Sequence, residues 1–327
     1  HDALGVTGGL DFQHRDAIAA VIREMGFNSV RLTFSNEMLT MGAVGPATVS
    51  ANPDLVGRTA LEVFDAVVEA LTDAGVLVIL NNHTSHAMWC CGFDDDGLWF
   101  NEDYPEDVWF DDWVTLVRRY ADNPGVAGAD LRNEIRIAAT DPGTGSPAPQ
   151  WGEEPNDWHA AATEAGNRIL AENPDLLIIV EGINFPRTHL MGVPDHPVVL
   201  DVPGRLVYAG HNYSHTGPTL SGPKYSDMDW DEYSARLDEE FGFVVEPGQP
   251  YTAPVWLSEF GCSPDESNKD WFTNMVRYIR ERDMGWAYWP LNAGPKAGGG
   301  GEPYTLLEDD WITPRTDWRI DLLKTIR

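Results

Sequence analysis

Six short apolar runs in this chain carry, or lead directly into, side chains able to do chemistry. Arg31 sits near the end of the run 29–34. The run 76–80 leads into Asn81, Asn82 and His83, and the run 126–131 into Arg132, Asn133 and Glu134. His211, Asn212 and Tyr213 follow 206–210, Glu259 follows 255–258, and Trp289 ends 285–289. The set holds two carboxylates, Glu134 and Glu259. Cleavage of an acetal between two sugars calls for such a pair, one to protonate the leaving oxygen and one to act as nucleophile or base. A single glutamate at the end of a strand reads equally well as half of a salt bridge. A pair sharing one rim with Arg31, His83, Asn133, His211, Tyr213 and Trp289 reads better as a site.

For these residues to meet, the runs must lie side by side and point the same way. The spacing predicts it. Helical periodicity over 15–25 closes at Gly26, and over 59–74 at Gly75; each helix is followed by an apolar run. The unit recurs with helices 106–121, 157–172 and 269–282 and strands 126–131, 176–180, 206–210, 255–258 and 285–289, and 317–326 reads as a closing helix. Alternation of this kind implies a parallel sheet with right-handed crossovers. Seven confident strands in a chain of 327 residues favour an α/β (β/α)8 TIM barrel, one catalytic domain over 1–327. No GxGxxG opens a helix after a strand, against a nucleotide-binding sheet. Strand one is uncertain, because its candidate, 3–10 (ALGVTGGL), is glycine-rich. In a barrel of eight, Glu134 and Glu259 fall on the fourth and seventh strands and face one another across the mouth, at the carboxyl ends where this fold keeps its chemistry.

Composition narrows the partners. With 22 Lys+Arg against 52 Asp+Glu the formal charge is −30, so nucleic acid and anionic membranes would be repelled. No apolar run approaches a membrane span. The expected state is a monomer, and with His1-Asp2-Ala3 at the start, any signal peptide has been removed or never existed. The 13 tryptophans suit a large core, or a cleft whose flat walls stack on sugar faces. Trp89, Trp99 and Phe100, in the loop after 76–80, are the candidate platforms, with Trp151 and Trp158 weaker. His83-x-x-His86 and His211-x₃-His215 have metal-like spacing, but each second histidine falls in a loop, so no metal is expected. Asp94, Asp95 and Asp96 with Asn101, Glu102 and Asp103 match no calcium loop and read as a solvated acidic segment. Cys90 and Cys91 allow a vicinal disulfide, a bridge from one of them to Cys262, or free thiols.

Arg31, His83, Asn133-Glu134, His211, Tyr213, Glu259 and Trp289 reproduce, in order, the eight positions kept by glycoside hydrolase family 5. The chain resembles that cellulase family from about residue 15 onward. The stretches MGFNSVRLTF, VILNNHTSHAMWCCG and ADLRNEIR are similar to a cellulase-like subgroup well represented in plants. The resemblance implies a retaining β-glycosidase without cofactor, acting on a β-linked glucose-type glucan, glucoside or glycoconjugate. Glu134 would be the acid/base and Glu259 the nucleophile, with carboxyl groups roughly 5–5.5 Å apart. Arg31 and Tyr213 would hold Glu259 below its ordinary pKa, while partial burial would raise that of Glu134. Asn133 would bind the sugar 2-hydroxyl, His83 orient its neighbours, His211 sit beside Glu134, and Trp289 floor a subsite. Subgroup relatives often carry a cysteine near strand one, so the resemblance offers a partner upstream of His1 for the odd cysteine; an exported enzyme with one disulfide is expected. A non-catalytic carbohydrate-binding barrel is the alternative. The loops 36–57, 84–104 and 135–156 would set whether it cuts within a polymer or trims an end.

Overall fold

The computed structural model describes residues 5–92, 94–138, 147–184, 188–219, 222–293 and 303–327. Seven strands form one sheet in chain order: β1 Ser29–Ser35, β2 Leu77–Thr84, β3 Val126–Asp130, β4 Leu177–Glu181, β5 Leu206–Asn212, β6 Val255–Phe260 and β7 Gly285–Tyr288. Every neighbouring pair is parallel. The helix α1 Arg15–Glu24 precedes them, and α2 Asn36–Thr40, α3 Ala60–Asp73, α4 Glu106–Arg119, α5 Trp158–Glu172, α6 Trp230–Glu240, α7 Lys269–Arg282 and α8 Trp318–Leu323 lie between and after them. The architecture is the curled sheet and helix ring of a TIM barrel.

Local sequence sets the element ends. Thr59 and Glu62 form a reciprocal capping box at the start of α3, satisfying two backbone donors that the first turn leaves free. Gly75, at φ +75°, reverses the chain after that helix and sends it into β2. The inner stripe of α3 (Val63, Phe64, Val67, Val68, Leu71) is buried, each side chain contributing roughly 1.5–3 kcal/mol relative to exposure. On the strands, alternate residues divide between two clusters. Val78, Leu80, Ile178 and Val180 face the helices, whereas Ile79, Ile179 and Ala209 meet inside the curled sheet with Ala127, Leu177, Val207 and Trp256.

Two departures from the sequence reading stand out. Residues 5–13 form turns, not a strand, with Gly5 and Gly9 at φ +62° and +92° (residues 3 and 4 lie outside the described residues). A Cβ on Gly9 would come within 2.4 Å of the Trp311 ring, so close packing of that indole requires glycine. Among the described residues β1 and β7 are not paired with each other, and a largely apolar cavity of about 990 Å³ lies between them, lined by Val30, Leu32 and Ala287 among others. The second departure is α6. Its sequence WDEYSARLDEE buries only Tyr233, Leu237 and Glu240, too sparse a stripe for periodicity to reveal. Among the described residues no helix is long and apolar enough to cross a membrane.

Candidate active site

Strand alternation delivers the site. Because side chains repeat every second residue, the inward set Ile79–Asn81–His83 on β2 runs from packed core to polar rim, as do Ile179–Glu181 on β4 and Ala209–His211 on β5. On β6 the inward Trp256 would put Ser258 inside and Glu259 outside. The β5–β6 ladder shifts by one residue between Gly210 and His211, and Glu259 comes opposite His211.

Arg31 is the hub. Its Nε donates to Asp130 Oδ2 at 2.6 Å, Nη1 to Glu259 Oε1 at 2.5 Å, and Nη2 to Glu181 Oε1 and Asn133 Oδ1, both at 2.7 Å. Burial alone would favour loss of the Arg31 proton, but three carboxylates outweigh it and hold the guanidinium charged. Tyr213 donates its hydroxyl to the second oxygen of Glu259 at 2.8 Å. Burial, and then the charge of Glu259, raise the Tyr213 phenol far above its usual range, so it remains a donor. The expectation for Glu259 itself is corrected. Burial is the largest influence on this carboxyl and moves it above its ordinary value, against the pull of His211 and Arg31.

Glu181 and Asp130 divide in the same field. Burial opposes ionisation of Glu181, but His211, Arg31 and the Glu134 backbone N–H bring it down to about 2. Burial pushes Asp130 up to about 7, and its Oδ1 has no hydrogen-bond partner among the described residues. Glu181 was missed by the sequence reading. It directly follows the run 176–180, and the rule that found Glu134 and Glu259 applies to it unchanged.

His211 places Nδ1 3.0 Å from Glu134 Oε1 and Nε2 3.0 Å from Ser258 Oγ, with Glu181 Oε2 3.5 Å from Nε2. Burial disfavours its charge, yet Glu181, Glu259 and Glu134 prevail, and the ring titrates well above the usual histidine value. A raised folded-state pKa contributes stability that is complete below the unfolded value and is lost as pH rises through the folded one. Unfolding free energy is therefore expected to fall above about pH 6.5, by up to about 1.4 kcal/mol per pH unit from this group. Urea titrations across pH 5.5–9 check it: His211→Asn should remove that part of the slope, and an unchanged slope would contradict the assignment.

His83 behaves oppositely. Burial, then the Arg31 charge, lower it well below its ordinary value, so the ring is neutral and its Nδ1 pairs with Asn81 Oδ1 at 2.8 Å. It stacks on Trp289 with centroids 5.3 Å apart and planes 8° apart. These residues surround an open cleft of about 450 Å³ whose lining includes His83, Trp89, Asn133, Glu134, His211, Tyr213, Glu259 and Trp289. The larger cavity between β1 and β7 lacks this pair of glutamates, which line the smaller one. One oxygen each of Glu134 and Glu259, with a ring nitrogen of His211, lie within 4.8 Å of one another. The Glu134 side chain keeps 15% of its surface exposed to the cleft, against 5% for Glu259.

Of the proposed platforms, Trp89 lines the cleft with 47% of its surface exposed. Trp99 does not qualify. It is 1% exposed, packed against Trp158 and Phe100 with its indole N–H donated to Glu106 at 2.7 Å, because the loop after β2 folds it beneath the rim. Trp158 is likewise core, donating to the Glu181 carbonyl, and Trp151 packs beside His159 and Tyr208. Cleft-lining residues not anticipated include Asn184, His215, Thr216, Pro303 and Tyr304. Cys90 and Cys91 form the vicinal disulfide, and Asn133 Nδ2 donates to their sulfurs at 3.3 and 3.5 Å. Cys262 is buried and unbridged, its thiol pushed up to about 12 by burial. In the acidic loop, Asp94 pairs with Arg136, while Asp96 accepts from Asn101 and the His86 backbone.

Residues 7–295 match the model of the family described as cellulase (glycosyl hydrolase family 5). The chain belongs to glycosyl hydrolase family 5. It is 34% identical over 338 residues to an endoglucanase of Paenibacillus polymyxa, covering 97% of this chain and 79% of that one. It is 32% identical to the major extracellular endoglucanase of Xanthomonas campestris, covering 92% of this chain and 60% of that one. The solved catalytic domain of that Xanthomonas enzyme superposes with a TM-score of 0.80 at 29% identity, over 99% of this chain and 91% of that one. A hyperthermophilic endocellulase of Pyrococcus horikoshii gives 0.80 at 28%, over 99% and 89%. This family 5 member is thus a glycoside hydrolase on a TIM barrel, and the eight residues singled out in the sequence gather around Arg31 and the cleft.

Proposed function

We propose that the chain is a retaining endo-β-glucanase, with Glu134 as acid/base and Glu259 as nucleophile. The observation that carries this is the meeting of two carboxylates, with oxygens within 4.8 Å, in one open cleft. That separation belongs with the short carboxyl spacing of retaining enzymes, not the wider spacing that lets an inverting enzyme place a catalytic water, and it suits direct attack on the anomeric carbon. Glu259 Oε attacks C1 while Glu134 gives its proton to the departing glycosidic oxygen. Water, deprotonated by Glu134, then releases the sugar from Glu259 and restores both groups. Arg31 and Tyr213 aim the nucleophile, and the neutral His83 stacked on Trp289 offers a flat floor for a sugar face.

The relatives support glucan as the substrate. Variants of the Pyrococcus endocellulase replacing a glutamate, a tyrosine and a second glutamate were solved with cellotetraose, at 27–28% identity to this chain. Glu134, Tyr213 and Glu259 follow the same order. Export fits the vicinal disulfide and the extracellular Xanthomonas relative. Proton NMR of cellotetraose hydrolysis tests the proposal: the β-anomer should appear first and mutarotate later. Initial α-anomer, or no cleavage of cellotetraose or soluble β-glucan, would overturn it.

A further inference from the structure

Glu181 does not line the cleft, yet it touches three groups that do the work there. Its Oε1 accepts from Arg31 Nη2 at 2.7 Å, and its Oε2 accepts the backbone N–H of Glu134 at 2.9 Å and lies 3.5 Å from His211 Nε2. The β3–β4 ladder pairs Asp130 with Ile179, and Leu131 N–H donates to the Ile179 carbonyl. Beyond that point the chain leaves the sheet, and the Glu181 side chain replaces the missing strand by capping the next available donor. That donor belongs to Glu134, whose φ of +45° is left-handed, a conformation an L-residue keeps only where its surroundings hold it.

We propose that Glu181 is a positioning residue for proton transfer, anchoring the Glu134 backbone directly and its carboxyl through His211. The proposal rests on Glu134 being the acid/base. Two anchors on one residue fix both where its chain turns and where its carboxyl points. Glutamine at 181 keeps the volume but offers one acceptor oxygen, so its amide nitrogen faces either Arg31 or the Glu134 N–H and one tie is broken. Ionisation of Glu181 supports the role, since it is held far below the ordinary carboxylate range with His211 beside it.

The test is the leaving-group dependence of Glu181→Gln. A dinitrophenyl leaving group departs without a proton, whereas the sugar leaving group of cellotetraose needs one. With Glu181→Gln, kcat/KM on cellotetraose should fall about 100-fold, as for a misplaced catalytic group. On dinitrophenyl β-cellobioside it should fall less than about fivefold, since the acid's contribution is not needed there. The ratio is read on one preparation and is unaffected by the fraction folded. Equal losses on both substrates, or no loss, would overturn the proposal. Glu134→Gln, measured alongside, separates the two ideas. If it discriminates between the substrates and Glu181→Gln does not, positioning by Glu181 falls alone. If Glu134→Gln does not discriminate, the acid/base assignment falls and this proposal with it.

Discussion

Glu259→Gln is expected to lower kcat on cello-oligosaccharides by at least about 10⁴-fold, since a carboxamide cannot form the glycosyl ester of the proposed mechanism. The fold should survive. A glutamine oxygen still accepts from Arg31 while its NH₂ donates to the Tyr213 hydroxyl, and Arg31 retains Asp130 and Glu181. Circular dichroism melting beside a steady-state assay checks both halves. A variant with parental kcat would end the assignment of Glu259 as nucleophile. The parent carries a related signature. Because burial lifts the Glu259 carboxyl above its ordinary value, the proposed nucleophile becomes protonated at a higher pH than an ordinary glutamate, and the acidic limb of kcat/KM is expected to move upward with it.

The largest loss of stability is expected from Arg31→Met. The side chain fits the space, but Asp130, Glu181 and Glu259 lose their shared cation in a site where each is buried. Removing one partner of a buried ion network costs about 3–5 kcal/mol. The deficit should depend on pH in a definite direction. Without Arg31 the folded carboxyls keep their protons to higher pH than the unfolded chain does. The penalty is therefore absent below the unfolded values near about 4 and grows as pH rises. Urea unfolding at pH 4.5 and 7 tests this. Equal stability of variant and parent at pH 7 would show that the carboxylates do not depend on Arg31.

Much of this arrangement was legible in the amino-acid order because parallel strands state their own chemistry: an apolar run, then the residues that emerge at the rim. His83, Asn133, Glu134, His211, Tyr213, Glu259 and Trp289 follow that rule and line the cleft, while Arg31 reaches two of them from inside its strand. Glu181 obeys it too, with no motif beyond it to mark it out. Trp99 shows where the rule stops. An aromatic in a loop carries no periodicity, and whether it faces sugar or core depends on how the loop folds. α6 escaped for a related reason, its buried face being three residues wide.

Strand rhythm and the order of polar residues after each run are enough to specify a barrel and its pair of glutamates, since both depend on local periodicity. The directions of the charges were not available from that order. Arg31 and Glu259 lie far apart in the chain, and burial, which no spacing records, set the balance: Glu259 moved up where two donors suggested down, and Glu181 moved down although buried. Ionisation at this site is a property of how many charges share one dry volume, and that number exists only once seven strands have brought them together.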